Sequence, residues 1–247
     1  MKYAIFSDIH SNLEALQACL AHARARGAEQ YAFLGDLVGY GADPVACIDI
    51  VGTLAAQGAV VVLGNHDEAV LSGLCENMNF VARDAIYWTR SQLGQKERDF
   101  LHSLPMVVRK EDSSYVHASA DKPGSWTYVE NEKLAGLCMN AAKTIFTFAG
   151  HVHSQILYYR MNEGMPRTFQ PTSGVPIPIL PHRHWLAIVG SVGQPRDGNN
   201  AASYALIDRD QGTLTFFRVP YDYMSTAKKI LAAGLPQRLA LRLESGR

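Results

Sequence analysis

Histidine, aspartate and asparagine gather in this chain in short clusters that share one setting: each follows a short apolar run. The set is Asp8-Ile9-His10, Gly35-Asp36, Gly64-Asn65-His66-Asp67, Val116-His117 and Gly150-His151-Val152-His153, with Gly39-Tyr40-Gly41 close behind the second. Together these residues offer carboxylates, imidazoles and one amide oxygen. That donor set suits divalent metals of intermediate hardness, Mn²⁺, Fe²⁺ or Zn²⁺, with Ni²⁺ and Mg²⁺ also admissible, and it is large enough for two ions. In Asp8-Ile9-His10, alternate residues of an extended segment would point to the same side, and His151-Val152-His153 repeats the spacing. A lone pair of this kind arises often by chance; an ordered series, each member at the end of an apolar run, does not.

The runs ahead of the clusters, 3–6, 31–34, 60–63, 115–116 and 145–149, are short, rich in β-branched and aromatic residues, and read as buried strands. The candidate ligands therefore fall at strand C-terminal ends, the edge at which open α/β sheets bind ligands. Between the runs lie helix signals. Ser11-Asn12-Leu13-Glu14 is a capping-box pattern opening a helix with Leu13, Leu16, Leu20 and Ala23 at helical spacing and Gly27 as its stop. Asp43-Pro44 opens a second helix that turns Val45, Ile48, Val51 and Leu54 inward. Strand and helix in alternation imply a parallel sheet.

Beyond Asp67 the pattern is mostly helical to about 104, with Phe80, Ile86, Trp88 and Leu93 as apolar anchors. It fits either a cap beside the site or a layer of helices covering the sheet. A helix over 131–142 precedes the strand leading to His151. Strands at 156–160, 186–189, 203–208 and 213–219, with turn signals at Asn162-Glu163-Gly164 and Asp210-Gln211-Gly212, are expected to form a second, meandering sheet. Helical character resumes at 226, is interrupted at Gly234-Leu235-Pro236, and residues after Glu244 are expected to be disordered.

A chain of 247 residues with 47% hydrophobic content can bury a large core. The ligands from Asp8 to His153 must converge, so 1–247 reads as one domain. Lysine plus arginine and aspartate plus glutamate both number 23, so no broad electrostatic footprint for nucleic acid is expected. Cys19, Cys47, Cys75 and Cys138 form no C-x-x-C pair and read as reduced thiols. No run approaches the ~18 apolar residues of a membrane span and no signal-peptide pattern opens the chain, so a cytoplasmic location away from membranes is expected.

The series D-x-H, G-D, G-N-H-[DE], H and G-H-x-H resembles the calcineurin-like metallophosphoesterase superfamily from Lys2 to about Arg160. The segments 35–44 (GDLVGYGADP) and 190–198 (GSVGQPRDG) are similar to its compact bacterial and archaeal phosphodiesterase-like branch. The resemblance implies an α/β fold, an αββα four-layer sandwich of two mixed sheets flanked by helices. It implies that Asp8, His10, Asp36 and His153 hold one metal and Asp36, Asn65, His117 and His151 the other, with Asp36 as the bridge. A water shared by the metals then attacks phosphorus as hydroxide. His66 matches the family histidine that faces the leaving group and donates a proton as imidazolium, and Asp67 is expected to orient it. His22, His102, His182 and His184 stay outside the site.

Tyr40 stands where the protein Ser/Thr phosphatases and symmetrical dinucleoside-tetraphosphate hydrolases carry an arginine. A tyrosine lacks the charged fork that grips a phosphate dianion. The substrate is therefore expected to be a small or nucleotide-like phosphodiester, with Arg196 and Tyr40 as candidate substrate contacts and Gly193 and Gly198 as points of close backbone approach to a ligand. Ala118 after His117 departs from the glycine common in relatives and puts the local loop shape in question. A phosphomonoesterase acting on proteins or nucleotides would share every ligand. A nuclease using Trp126, Tyr128 and Lys122 as a strand platform is disfavoured by the neutral charge, and a non-catalytic scaffold by the intact ligands and His66. A homodimer through the helical tail is compatible with the sequence.

Overall fold

Alternation within the first strand, β1 (Lys2–Phe6), sets the layering: Tyr3 and Ile5 enter one apolar cluster, Ala4 and Phe6 another. The computed structural model describes residues 1–75, 78–161, 164–180 and 182–247. After β1 come α1 (Leu13–Ala25), β2 (Gln30–Phe33), α2 (Pro44–Ala56), β3 (Val60–Val61), α3 (Asn65–Ser72), α4 (Phe80–Gln92), α5 (Gln95–His102), β4 (Val107–Lys110), β5 (Ser113–Val116), α6 (Glu132–Ala142) and β6 (Phe146–Ala149). The remainder is β7 (Gln155–Met161), β8 (Arg167–Phe169), β9 (Ile177–Pro178), β10 (Arg183–Val189), β11 (Ala202–Asp208), β12 (Thr213–Val219), α7 (Tyr223–Ala232) and α8 (Gln237–Ser245).

The strands form two six-stranded sheets, β3-β2-β1-β11-β12-β9 and β4-β5-β6-β10-β7-β8. Each is mixed. β1, β2 and β3 run parallel, as do β5, β6 and β10, and the remaining pairs are antiparallel. The sheets face each other across Tyr3, Ile5, Phe148, Leu157, Trp185 and Phe216. On the outside of the first, Phe6 and Phe33 pack with Leu16 and Leu20 of α1 and Ile48 and Val51 of α2. On the outside of the second, Leu186 and Ile188 pack with Ala135, Cys138 and Met139 of α6. This is the αββα sandwich.

The late strands do not make a sheet of their own. β11 and β12 complete the first sheet beside β1, while β7 and β10 complete the second beside β6. The reason lies in burial on both faces: β11 sends Ala205 and Ile207 between the sheets and Tyr204 and Leu206 to the helix layer, so it fits a central place wherever a strand edge is open. In β1 that edge pairs Tyr3 with Ile207.

Helix α1 is capped by Asn12, whose side chain accepts from the Ala15 amide at 3.1 Å, and not by a box closed from Ser11. Ser11 is left-handed at φ 53° and its hydroxyl makes no hydrogen bond, while Glu14 pairs with Lys229 of α7. The described part of 68–104 is mostly helical, made of the end of α3 with α4 and α5, but Phe80 is 68% exposed and joins no apolar cluster; Ile86 and Leu93 are buried. The chain end is ordered: the Gly246 amide donates to Arg242 and the Gly246 carbonyl accepts from Gly198. Asn162 and Glu163 of the expected turn lie outside the described residues. No helix among the described residues is long and apolar enough to cross a membrane.

Candidate metal centre

The clusters converge because the chain, on leaving each strand, keeps hydrogen-bonding to its neighbour's loop. The amides of Asp8, His10 and Ser11 donate to the carbonyls of Gly35, Asp36 and Leu37, which sets Asp8 and His10 beside Asp36. On the second sheet the Gly150 amide donates to His117, which sets His151 beside His117. Asp8 Oδ2 accepts from the His151 amide at 2.9 Å, closing the seam between the sheets, and Asp36 Oδ1 accepts from the His66 amide at 2.8 Å, tying together the loops that follow β2 and β3 of the first sheet. The expected extended geometry of D-x-H and H-x-H is not what aligns the side chains. Asp8, His10, Asp36, His151 and His153 all have φ between 49° and 66°, in the left-handed region. Such conformations cost ~1–3 kcal/mol each and persist where surrounding bonds over-determine them, characteristically at functional sites.

Two groups of side chains result, Asp8, His10, Asp36 and His153, and Asp36, His117 and His151, each with ligand atoms within 4.8 Å of one another and all buried. Asp36 belongs to both. Its Oδ2 lies 3.7 Å from His10 Nε2 and 3.5 Å from His117 Nε2, and Asn65 Oδ1 adds a donor 3.0 Å from His117 Nε2. All seven expected ligands are thereby brought together.

The donor set fits cations. Carbonyl oxygens of Val38 and Gln194 lie 3.2 and 2.6 Å from Nδ1 of His10 and His153, so those nitrogens carry the proton. Burial, followed by neighbouring charges, holds both rings well below or below the usual histidine range, so each Nε2 presents a lone pair. These two lone pairs face each other at 3.2 Å, and the otherwise unpartnered Asp8 Oδ1 is 3.1 Å from His153 Nε2. A cation placed among them relieves three acceptors aimed at one point. In the second group, Nδ1 of His117 likewise meets the Leu34 carbonyl at 2.7 Å, and burial with His117 nearby pushes His151 down to about 2. Burial and the Asp8 charge push Asp36 well above the usual carboxylate range.

His66 packs against both His10 and Tyr40, ring centroids 4.8 and 4.5 Å away. Its Nδ1 is buried without a partner, against Gly39, where a Cβ would stand 2.5 Å from that nitrogen. Burial, then the Arg196 charge, holds this ring well below the usual range, so it is neutral here rather than the expected imidazolium. Asp67 does not orient it. The two Asp67 oxygens accept from the amides of Val38 at 3.2 Å and Gly64 at 3.0 Å, clamping the loop after β2 to the start of α3.

Arg196 reaches the site: its guanidinium lies 5.8 Å from the Tyr40 ring centroid. Gln194, which no spacing or residue type singles out, holds the 190–198 loop in place. Its carbonyl accepts from His153 and its side-chain oxygen accepts from Arg196 Nη2 at 2.9 Å. Gly193 approaches protein backbone, not a ligand: a Cβ there would lie 1.8 Å from the Ile9 carbonyl oxygen. Gly198 likewise serves the chain end. His22, His102, His182 and His184 are absent from both groups; His22 bonds Tyr204 and His184 the Thr144 carbonyl.

A cleft of about 600 Å³ opens on the other flank, lined by Asn65 and His151 together with Glu68, Ala69, Ser72 and Met78 from the helical segment and Trp126 and Tyr128 opposite. Tyr128 stacks on His151 with centroids 3.8 Å apart, and Trp126 Nε1 donates to Glu68 at 2.9 Å.

With this geometry in view, the comparisons with known proteins agree. The family model for calcineurin-like phosphoesterases matches residues 1–170. An uncharacterised protein of Methanocaldococcus jannaschii is 34% identical over 249 residues, covering 99% of this chain and 98% of that one. The crystal structure of a metallophosphoesterase from Sphaerobacter thermophilus superposes with a TM-score of 0.88 at 36% identity over 100% of both chains. A hypothetical protein from Pyrococcus horikoshii shares the fold, with a TM-score of 0.78 at 19% identity over 100% of this chain and 98% of that one.

Proposed function

Because the chain belongs to the calcineurin-like phosphoesterase family, we propose that it is a cytoplasmic phosphodiesterase acting on a small or nucleotide-like phosphodiester. Asp8, His10, Asp36 and His153 would hold one divalent cation, and Asp36, Asn65, His117 and His151 the other, Mn²⁺, Fe²⁺ or Zn²⁺ by the chemistry of the donors. Such a pair supplies neutralisation of phosphoryl charge and an acidified water. The protein does the positioning. Asp36 Oδ2 serves both groups, and the carbonyls of Val38, Leu34 and Gln194 fix ring tautomers so that Nε2 of His10, His117 and His153 stays free to ligate.

With Nδ1 closed off by Gly39, His66 has Nε2 available to a substrate. There, as the imidazolium that the charge of a bound phosphate would favour against burial and Arg196, it would donate a proton to the departing oxygen, a contribution of ~10²–10⁴-fold. The observation that carries the diester reading is the pair of unlike flanks: Tyr40 and Arg196 on one side, the aromatic cleft of Trp126 and Tyr128 on the other. A diester has a substituent for each. The helical segment 68–104, lining that cleft, would act as a cap over one substituent.

The test is hydrolysis of bis-p-nitrophenyl phosphate against p-nitrophenyl phosphate by protein stripped with a chelator and resupplied with Mn²⁺. Higher kcat/KM for the diester, lost without metal, is expected. A clear monoester preference would replace this reading with a phosphatase, despite Tyr40.

A further inference from the structure

Three arginines gather on the Tyr40 side of the candidate metal centre, and the described residues place no carboxylate among them. Arg196 comes from the 190–198 loop; Arg238 and Arg242 lie four residues apart on α8 and so share a face. Gln194 Oε1 accepts from Arg196 Nη2 at 2.9 Å and also from Arg242 Nη1 at 3.1 Å. One neutral amide oxygen thus holds two like charges together. Among the described residues no aspartate or glutamate pairs with any of the three, although arginines elsewhere are neutralised, Arg209 by Asp112 and Arg218 by Asp197. Burial, and then the charges of Arg196 and Arg238, push Arg242 below the usual arginine range.

A pocket of about 380 Å³ opens on this cluster, walled by Tyr40, Arg238 and Arg242 and by Asn79, Phe80 and Val81 at the start of α4. Phe80, 68% exposed and without a structural task, forms an apolar side of it. Tyr40 separates the pocket from the metal ligands by one ring: its centroid is 4.6 Å from that of His10 and 4.5 Å from that of His66. Clustered guanidiniums repel one another until an anion docks, and their planar forks match phosphate oxygens in pairs. The N-terminus of a thirteen-residue helix adds favourable potential to the same space.

We propose that this pocket binds a second phosphate of the substrate, so that the compound cleaved is a phosphodiester carrying a separate phosphate group on the part held beside Tyr40. The inference rests on the phosphodiesterase reading of the metal centre but uses residues outside it. The probes are two matched esters, the p-nitrophenyl ester of thymidine 5′-phosphate with and without a 3′-phosphate, given to the metal-loaded full chain.

The 3′-phosphorylated ester is expected to show kcat/KM about tenfold or more above its partner, and R238Q/R242Q should erase most of that preference. Arg238 is exposed, so R238Q alone keeps the fold and should lose part of it. A wild-type protein with no preference, or a preference that survives R238Q/R242Q, would overturn the proposal. If neither ester is cleaved, the phosphodiesterase reading fails by itself, and calorimetry with thymidine 3′,5′-bisphosphate and thymidine 5′-phosphate decides on the pocket. Tighter binding of the bisphosphate that R238Q/R242Q abolishes upholds the anion site; equal binding of the two removes it.

Discussion

Gly193→Ala, set against Gly52→Ala, tests whether the metal centre depends on contact between two loops that carry no chemistry at their meeting point. A Cβ on Gly193 would stand 1.8 Å from the Ile9 carbonyl oxygen, and real Cβ contacts essentially never fall under 3.0 Å, so the loops must part by about 1.2 Å. The Val192 and Gly193 amides donate to Ser7 and Asp8 at 2.9 Å each, and parting breaks both bonds. Overpacking of this kind costs ~1–3 kcal/mol and each lost bond ~1 kcal/mol, about 3–5 kcal/mol together. For a chain of this size that lowers Tm by roughly 6–20 °C. One loop carries Asp8 and the other, through the Gln194 carbonyl, positions His153, so metal affinity should also fall ~10–100-fold. At Gly52, inside α2, the added methyl meets only the Phe100 ring at 3.8 Å, and the change should raise stability by ~0.5–1 kcal/mol with metal binding intact. Chelator competition and thermal melts on both variants provide the assay. A Gly193→Ala protein that melts and binds metal like wild type would refute the argument.

Three other outcomes are expected. His66→Ala should keep its metal content while turnover drops ~10²-fold or more; unchanged turnover removes His66 from the mechanism. Asp36→Asn should lower occupancy of both metals, because Asp36 Oδ2 faces both ligand groups, and two tightly held ions by elemental analysis would contradict that sharing. The chelated protein should lose stability as pH falls from 6 to 5. His10, His66, His151 and His153 are depressed in the fold and take up protons only on unfolding, while Asp36, raised well above the usual range, and Asp67, raised to about 7, already hold theirs. Unfolding then binds about one more proton at pH 6 and about two at pH 5, a slope that grows from about 1.5 to about 2.7 kcal/mol per pH unit. Urea titrations in EDTA that show stability rising toward pH 5 would mean the imidazoles are not buried neutral.

The ligands were legible because strand ends are legible: a run such as 3–6 is apolar on both faces, and the polar residue that ends it must lie at the sheet edge. Which sheet a late strand joins was not legible. β11 is buried on both faces and would suit either sheet, so its place depends on the edge left open by β1, a tertiary fact. The left-handed backbone at Asp8, His10, His151 and His153 was hidden for another reason. Aspartate and histidine enter the left-handed region more readily than most residues, but most of them do not, and it is the loop-to-loop bonds that impose φ > 0 at these positions. Gln194 and the clamping role of Asp67 escaped for the same cause. Their tasks are hydrogen bonds to backbone and to arginines brought near by folding, and a lone glutamine has no spacing that reports this.

The two flanks of the centre divide the labour of recognition by physical type. On the Tyr40 side, no carboxylate among the described residues pairs with Arg196, Arg238 or Arg242, so these guanidiniums reward negative charge there. On the Tyr128 side, a ring stacked on His151 and an indole tied to Glu68 leave a surface with aromatic faces and an acidic rim, which rewards a flat, uncharged group and repels a phosphate. A monoester offers only one substituent and would leave one flank without a partner. A diester placed across Asp36 presents its charged part to the arginines and its flat part to the cleft.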